Sequence, residues 1–307
     1  MRNLSIDILK IVLASFVVCL HLHILRDTYP SLSYVLVNGL FRIGVPVFLI
    51  ISGYFFFYVN DPAKLKKWSF RIFLLYAIWS VIYIPLWKKD DGYVMNLIFG
   101  YHHLWYLIGT LLAGLLLYVL RNIPAQKLFL ILISCFCCGY VIQYLGNAHC
   151  FKGDTDAVFN LFPAYRNFLF VCFPFLGIGF LIKKLGIDTK RKPSLIIVLL
   201  SAGTVIGEAF LNEKIFHLQK KESIDLLFSL LIACPLMFLY CKNITAKTDS
   251  RILASISTAI YLIHPLVIEW VYKSGYFTSW QDLVFIVVLM AASLILVFLN
   301  RRLRYLL

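Results

Sequence analysis

Lys10 and His21 are the residues of the first apolar segment whose types could do chemistry. They are eleven positions apart, so a helix places both on one face, separated by about 16 Å along its axis. A histidine titrates near neutrality and can accept a proton from an alcohol. Because an imidazole inside a membrane span is costly unless it has a partner or a function, His21 is the first candidate catalytic residue.

The elements that carry these residues are predicted to be membrane-spanning helices. Of the 307 residues, 61% are hydrophobic and only 14% are charged, and the mean hydropathy is +0.85. Apolar runs of about twenty residues, long enough to cross a bilayer, recur from end to end. We therefore predict an all-α, polytopic membrane helix bundle with about ten transmembrane helices, forming one domain over residues 1–307. The predicted spans are approximately 4–25, 40–60, 68–87, 102–120, 128–146, 165–182, 194–211, 224–241, 252–272 and 282–300.

The distribution of Lys and Arg predicts that both termini are cytoplasmic. In this orientation most of the 29 basic residues flank the cytoplasmic ends of the spans, while Asp90, Asp91 and Glu222 fall in outer loops. The net charge of +14 is thus largely explained by topology. The basic inner face could also bind anionic headgroups of membrane lipid or a phosphorylated ligand, and no nucleic-acid partner is expected.

Most polar residues inside the predicted spans lie in the outer halves of those spans. His21 lies four residues from the outer end of the first span, and Arg42 lies just inside the outer start of the second, so both have similar depth. Such residues are candidates for a functional site that faces the bundle interior or a water-filled cavity. The remaining members of this layer are His102, His103, Trp105, Arg166, Asn167, Glu208, His264 and Glu269.

These residues also have structural interpretations that the sequence leaves open. Rings at the start of the fourth span could anchor it at the membrane interface. Arg42 and Arg166 could extend to outer headgroups, or Glu269 could pair with one of them. The deeper histidines could make hydrogen bonds across helices. Lys10 could be an inner-leaflet anchor paired with Asp7, three residues earlier on the same helix.

A cavity that combines histidine and arginine suits chemistry on a hydroxyl group. The histidine takes the proton, and the arginine supplies fixed donors to a developing oxyanion or to a ligand carboxylate. The spans lack the Asp and Glu clusters that proton-coupled antiporters commonly use, and they lack an arginine-rich span of the voltage-sensor type. No metal site is expected, because the CxxC spacing of Cys135 and Cys138 falls in the middle of a span.

Four segments form an ordered series of motifs: Asp7 through His21, Arg42 through Val45-Pro46 to Ser52-Gly53-Tyr54, His103-Leu104-Trp105-Tyr106-Leu107, and Tyr261-Leu262-Ile263-His264-Pro265-Leu266. In this order they resemble the motifs of the integral membrane acyltransferase-3 family over nearly the whole chain. In the first, Lys10 stands where the family usually has Arg, and a Lys cannot reproduce the bidentate geometry of Arg.

A fifth segment contains Arg166-Asn167-Phe168-Leu169-Phe170 followed by Phe173-Pro174-Phe175-Leu176-Gly177. It resembles a branch of the family that includes the membrane domains of vancomycin-resistance-type serine racemases.

The resemblance implies a single acyltransferase-3 type transmembrane domain in the bacterial cytoplasmic (inner) membrane. The implied activity is O-acyl transfer from acyl-CoA, most often acetyl-CoA, which is a co-substrate and not a permanently bound cofactor. The implied acceptor is a hydroxyl of a surface glycan or lipid-linked sugar, such as O-antigen, capsule or enterobacterial common antigen. The alternative hypothesis is a transporter or exporter of a small polar solute such as an amino acid.

The resemblance also implies roles for individual residues. His21 would act as general base or carry a covalent acyl group, and Arg42 would stabilise the oxyanion. The implied substrate-binding residues are His103, Trp105, Arg166, Tyr261 and His264. The anionic head of the donor would bind at Lys10, Lys64, Lys66, Lys67 and Arg71, with the Lys183 to Lys192 cluster nearby, and its pantetheine arm would rise about 16 Å to His21.

Overall fold

The computed structural model describes residues 2–88, 92–214, 224–248, 250–273, 280–303 and 305–307. Asp90, Asp91 and Glu222, which enter the orientation argument, lie outside the described residues. The helices are α1 Leu4–Leu22, α2 Pro30–Val37, α3 Gly44–Phe56, α4 Pro62–Ile82, α5 Ile84–Trp87, α6 Tyr93–Met95, α7 Trp105–Leu120, α8 Ala125–Asn147, α9 Gly153–Phe159, α10 Phe162–Tyr165, α11 Phe173–Lys184, α12 Ile187–Lys190, α13 Leu195–Lys214, α14 Leu230–Asn243, α15 Ile252–Lys273 and α16 Gln281–Leu303. Short 3₁₀ segments cover Leu40–Ile43 and His102–Leu104, and π-helical turns cover Asn96–Gly100 and Phe168–Cys172.

The prediction of an all-α membrane bundle is confirmed. Within the described residues, eight helical segments are long and apolar enough to cross a membrane. The other two predicted spans coincide with α4, which carries four basic residues in its first half, and with the 14-residue helix α14. The two strands β1 (Arg2–Asn3) and β2 (Lys247–Thr248) form an antiparallel pair that ties the start of α1 to the segment before α15.

Helix α1 is shorter than predicted at its outer end. The Asn3 side chain accepts a hydrogen bond from the Ile6 N–H and caps the start of the helix. At the other end, His23 adopts the left-handed conformation with φ 46°, and its N–H bonds to carbonyls of the last turn. The helix therefore ends at Leu22, and His21 lies one residue from the helix end instead of four.

Helices α3 and α11 form the close-packed centre of the bundle. Gly53 of α3 lies against the Leu176 backbone, and Gly179 of α11 lies against the Ile50 backbone. A Cβ at either glycine would overlap the carbonyl it faces, so only glycine permits this approach. The contact holds the second half of α3 against α11 inside the bundle.

The eighth span is predicted to begin at residue 224, but its helix begins only at Leu230. Residues 224–227 have no regular secondary structure. The Gln143 side chain accepts hydrogen bonds from the N–H groups of Asp225 (2.7 Å) and Leu226 (2.9 Å) and donates one to the Leu226 carbonyl. Glu208 accepts from the Phe228 N–H at 2.9 Å. Irregular backbone inside a bundle needs such side-chain partners, and it characteristically lines a cavity.

Candidate functional site

Three helical segments bring four histidines together at the end of α1. The His21 ring stacks on the His264 ring of α15 with centroids 5.2 Å apart, and it lies 4.2 Å from the His102 ring. The His103 ring meets the His264 ring edge-on at 5.1 Å. His103 and His264 are buried, His21 is half-buried, and His102 is exposed. We call these four residues the histidine cluster.

Pro265 determines which ring nitrogen of its neighbour His264 carries the proton. Proline has no N–H, so the carbonyl of Tyr261, four residues earlier in α15, lacks its usual helical donor. The Nδ1 of His264 lies 2.8 Å from that carbonyl and 3.2 Å from the Ile260 carbonyl, and therefore carries a proton that it donates to them. In the neutral ring, Nε2 is then the basic nitrogen, and it is buried with no hydrogen-bond partner among the described residues.

Tyr261 holds the other buried histidine, His103, in place. Its hydroxyl donates to the backbone carbonyl of His103, and its ring lies 5.1 Å from the imidazole. Neither ring nitrogen of His103 has a hydrogen-bond partner in the described part of the chain. Tyr261 thus positions the backbone of His103 instead of bonding to its ring.

A small cavity of about 40 Å³ opens beside His21, and we call it the outer cavity. The groups that give it polar character are two arginines, one carboxylate and one imidazole. Apolar side chains of α1, α3 and the neighbouring segments complete its wall. The four polar residues are His21, Arg42, Arg166 and Asp225, and the Trp105 side chain also lines the cavity.

Asp225 is the central partner of the two arginines, and sequence reasoning missed it. Arg42 forms a buried ion pair and hydrogen bond with Asp225, with side-chain exposures of 7% and 8%. A second Arg42 nitrogen donates to Asn38 at 3.1 Å. Arg166 Nη1 lies 3.6 Å from the same Asp225 oxygen. The available signal was an acidic residue inside the predicted eighth span, which is by itself a functional-site candidate.

Glu269 does not take the partner that the sequence analysis left open, an outer arginine. It forms a 2.7 Å ion pair with Lys273, one turn later on α15, with side-chain exposures of 37% for Glu269 and 72% for Lys273. The i,i+4 spacing of the two residues is a local signal for this pair. Asp7, the partner suggested for Lys10, does lie close to it, at 4.0 Å from the Lys10 ammonium.

Two further cavities follow the same face of α1 toward its start. The middle cavity, about 180 Å³, is lined by Lys10, Ser52, Tyr106 and Tyr261 among others. The inner cavity, about 610 Å³, contains Lys10 again, together with Tyr54, Lys183 and Lys242. Lys10 therefore borders both cavities, and Tyr261 links the middle cavity to the histidine cluster.

The inner cavity has a basic and aromatic wall. The ammonium groups of Lys183 and Lys242 lie 5.3 Å and 5.7 Å from the centre of the Tyr54 ring. The Tyr54 hydroxyl donates to the buried carboxylate of Asp188 at 2.5 Å, and Lys183 lies 4.0 Å from the same oxygen. This surface combines positive charge with a fixed ring face, which suits an anionic ligand that carries a planar group.

The basic residues that the sequence analysis assigned to the donor head lie in two places. Lys10 lines the inner cavity, whereas the others lie on the exposed face of α4. Lys64 is paired there with Asp61 at 3.0 Å and donates to Asn60 at 2.7 Å. The residues on α4 are Lys64, Lys66, Lys67 and Arg71. Among the described residues, no three His, Cys, Asp or Glu side chains are arranged as a metal site.

Comparison with known proteins identifies the family. The profile described as "Acyltransferase domain" (Acyl_transf_3) matches residues 3–301. The chain belongs to the acyltransferase-3 family. It is 29% identical to an amino-acid racemase of Enterococcus faecalis, over 89% of this chain and 42% of that protein. It is 25% identical to a serine/alanine racemase of Enterococcus gallinarum, over 87% of this chain and 41% of that protein.

This acyltransferase-3 chain spans about two-fifths of the length of the curated relatives it matches. No solved structure matches it. The family and the apolar helices together make it a multi-pass membrane protein of acyltransferase type.

Proposed function

We propose that the chain is an integral membrane O-acyltransferase that moves an acetyl group from acetyl-CoA to a hydroxyl of a cell-surface carbohydrate. The observation that carries this proposal is the arrangement along one face of α1. A basic inner cavity lies at the Lys10 end, the histidine cluster lies at the His21 end, and the middle cavity lies between them. This arrangement suits acyl-CoA, because its anionic nucleotide head and its thioester carbon lie at opposite ends of the molecule.

The acyl donor enters from the inner cavity in this proposal. The phosphates bind to Lys183, Lys242 and Lys10, and a planar group of the donor packs on Tyr54. The pantetheine arm passes Lys10 through the middle cavity toward Tyr261. This assignment replaces the α4 lysines of the sequence-based hypothesis with residues that line a cavity.

His21 is the proposed general base, because it borders the outer cavity whereas His264 is fully buried behind it. It takes the proton of the acceptor hydroxyl while the hydroxyl oxygen bonds to the thioester carbon. The carbon–sulfur bond then breaks, and the proton passes from His21 to the leaving thiolate. The Nε of Arg42, buried without a hydrogen-bond partner among the described residues, is the proposed donor to the oxyanion.

The test is transfer of label from [¹⁴C]acetyl-CoA to surface glycan by membranes that contain the protein. His21→Ala should lower the rate by about 10²–10⁴-fold, the range typical for loss of a general base. His149→Ala removes an exposed histidine outside the cavities and serves as the matched control. A His21→Ala variant that is present in the membrane at wild-type level and fully active would disprove the proposal. Label recovered on the protein after a rapid acid quench would indicate an acyl-His21 intermediate.

The second candidate function is transport of a small polar solute such as an amino acid. Two observations favour it: the two relatives are racemases of amino acids, and residues 224–227 form irregular backbone inside the bundle. Uptake of labelled solute into vesicles without CoA, with no label reaching glycan, would select this function over acyl transfer.

A further inference from the structure

Arg166 has unused hydrogen-bonding capacity in the outer cavity. Its guanidinium lies 3.6 Å from Asp225, beyond ordinary hydrogen-bond distance, and it donates no hydrogen bond to any described residue. Arg42 already holds Asp225 by a direct hydrogen bond. In this part of the described structure, one carboxylate therefore lies near two guanidinium groups. Because Arg42 is the direct partner of Asp225, the excess positive charge lies mainly on Arg166.

Contacts with neighbouring residues fix the position of the Arg166 side chain. The guanidinium lies 4.3 Å from the Phe162 ring centre and 5.4 Å from that of Trp105. The next residue, Asn167, accepts hydrogen bonds from the N–H groups of Leu169 and Phe170, which fixes the backbone at this point. The Arg166 side chain is 19% exposed and lines the outer cavity, so its donors are accessible to a ligand there.

The size of the outer cavity limits what can bind there. A volume of about 40 Å³ has room for a few water molecules or one small oxyanion group. His21 borders the same cavity. A ligand whose acid group enters the cavity at Arg166 would therefore keep the rest of its atoms, including a hydroxyl, near the histidine cluster.

We propose that the acceptor carries a carboxylate, which Arg166 binds while the acceptor hydroxyl lies at His21. The inference rests on the proposed function and names the acceptor class as a hydroxyl compound with an acid group, such as an acidic sugar. A single carboxylate balances the excess positive charge and fits the planar fork of a guanidinium.

The test measures binding of sodium D-glucuronate and of D-glucose to the purified protein in detergent micelles. Apparent dissociation constants come from the dependence of the unfolding temperature on ligand concentration, at ionic strength matched with sodium chloride. Glucuronate should stabilise the wild type and glucose should not. Arg166→Gln should weaken glucuronate binding roughly ten- to hundredfold, as expected for a lost charge-assisted interaction. Arg26→Gln, at an exposed arginine outside the cavity, should bind like the wild type.

Equal stabilisation by glucose and glucuronate, or unchanged glucuronate binding in Arg166→Gln, overturns the inference. If Arg166→Gln does not fold, Arg166→Lys replaces it, and this variant must also bind glucuronate more weakly than the wild type. Measuring both properties separates the two proposals, because Arg166→Gln tests glucuronate binding whereas His21→Ala tests acetyl transfer. Transfer to glycan without Arg166-dependent glucuronate binding refutes the acid site alone, whereas Arg166-dependent binding without any transfer refutes the proposed function alone.

Discussion

The ion pair between Arg42 and Asp225 should be one of the strongest side-chain interactions in the bundle. The two side chains are only 7% and 8% exposed, so solvent screens their attraction little. Removing one partner from a buried pair costs about 3–5 kcal/mol, because the other charge stays buried and loses its nearest counter-charge. Asp225→Asn keeps the shape and one acceptor oxygen, so we expect a loss near the lower limit, about 3 kcal/mol.

A double-mutant cycle measures this interaction. The free energy of unfolding is determined by SDS titration in mixed micelles, with tryptophan fluorescence as the signal, for Arg42→Gln, Asp225→Asn and the double variant. The double variant should lose about as much stability as either single variant. The coupling free energy should therefore be at least about 2 kcal/mol.

The Glu269 and Lys273 pair provides the internal control. It has a similarly short distance, 2.7 Å, but its side chains are 37% and 72% exposed. A cycle with Glu269→Gln and Lys273→Gln should give a coupling of only about 0.3–0.5 kcal/mol. Additive effects at Arg42 and Asp225, or a coupling no larger than that of the exposed pair, would refute the reasoning.

Two further predictions concern the ends of the proposed donor path. Pro265→Ala restores an N–H that competes with His264 for its carbonyl, so acetyl transfer should fall about tenfold while the donor KM stays unchanged in steady-state assays. An unaffected kcat would show that the proline does not position the histidine. Lys183→Gln should raise the KM for acetyl-CoA about tenfold, whereas Lys127→Gln, on the exposed surface, should not. A larger increase from Lys64→Gln than from Lys183→Gln would restore the sequence-based assignment of the donor head.

The features of α1 were predictable because they depend on neighbouring positions. Helical periodicity alone places Lys10 and His21 on one face. The length of each apolar run identifies the spans, because a helix needs about twenty apolar residues to cross a bilayer. The end of α1 was less predictable, because a left-handed His23 terminates the helix without a glycine or proline signal.

The interactions between distant segments were not predictable in the same way. Asp225 meets Arg42 across 183 positions. The helix expected from residue 224 gives way to irregular backbone because Gln143, on another helix, supplies its hydrogen bonds. Apolar run length carries no information about such a partner, so the predicted span began too early.

The sequence by itself determined the all-helical membrane architecture, the order of the family motifs and the shared face of Lys10 and His21, because run length and periodicity are local properties of the chain. Only the tertiary structure decided which charges meet. It brings Asp225 to the two arginines, places the α4 lysines on an exposed face and Lys183 in a cavity, and leaves the Arg166 side chain without a hydrogen bond to the described residues. These outcomes depend on how helices pack, and packing is a property of the whole bundle.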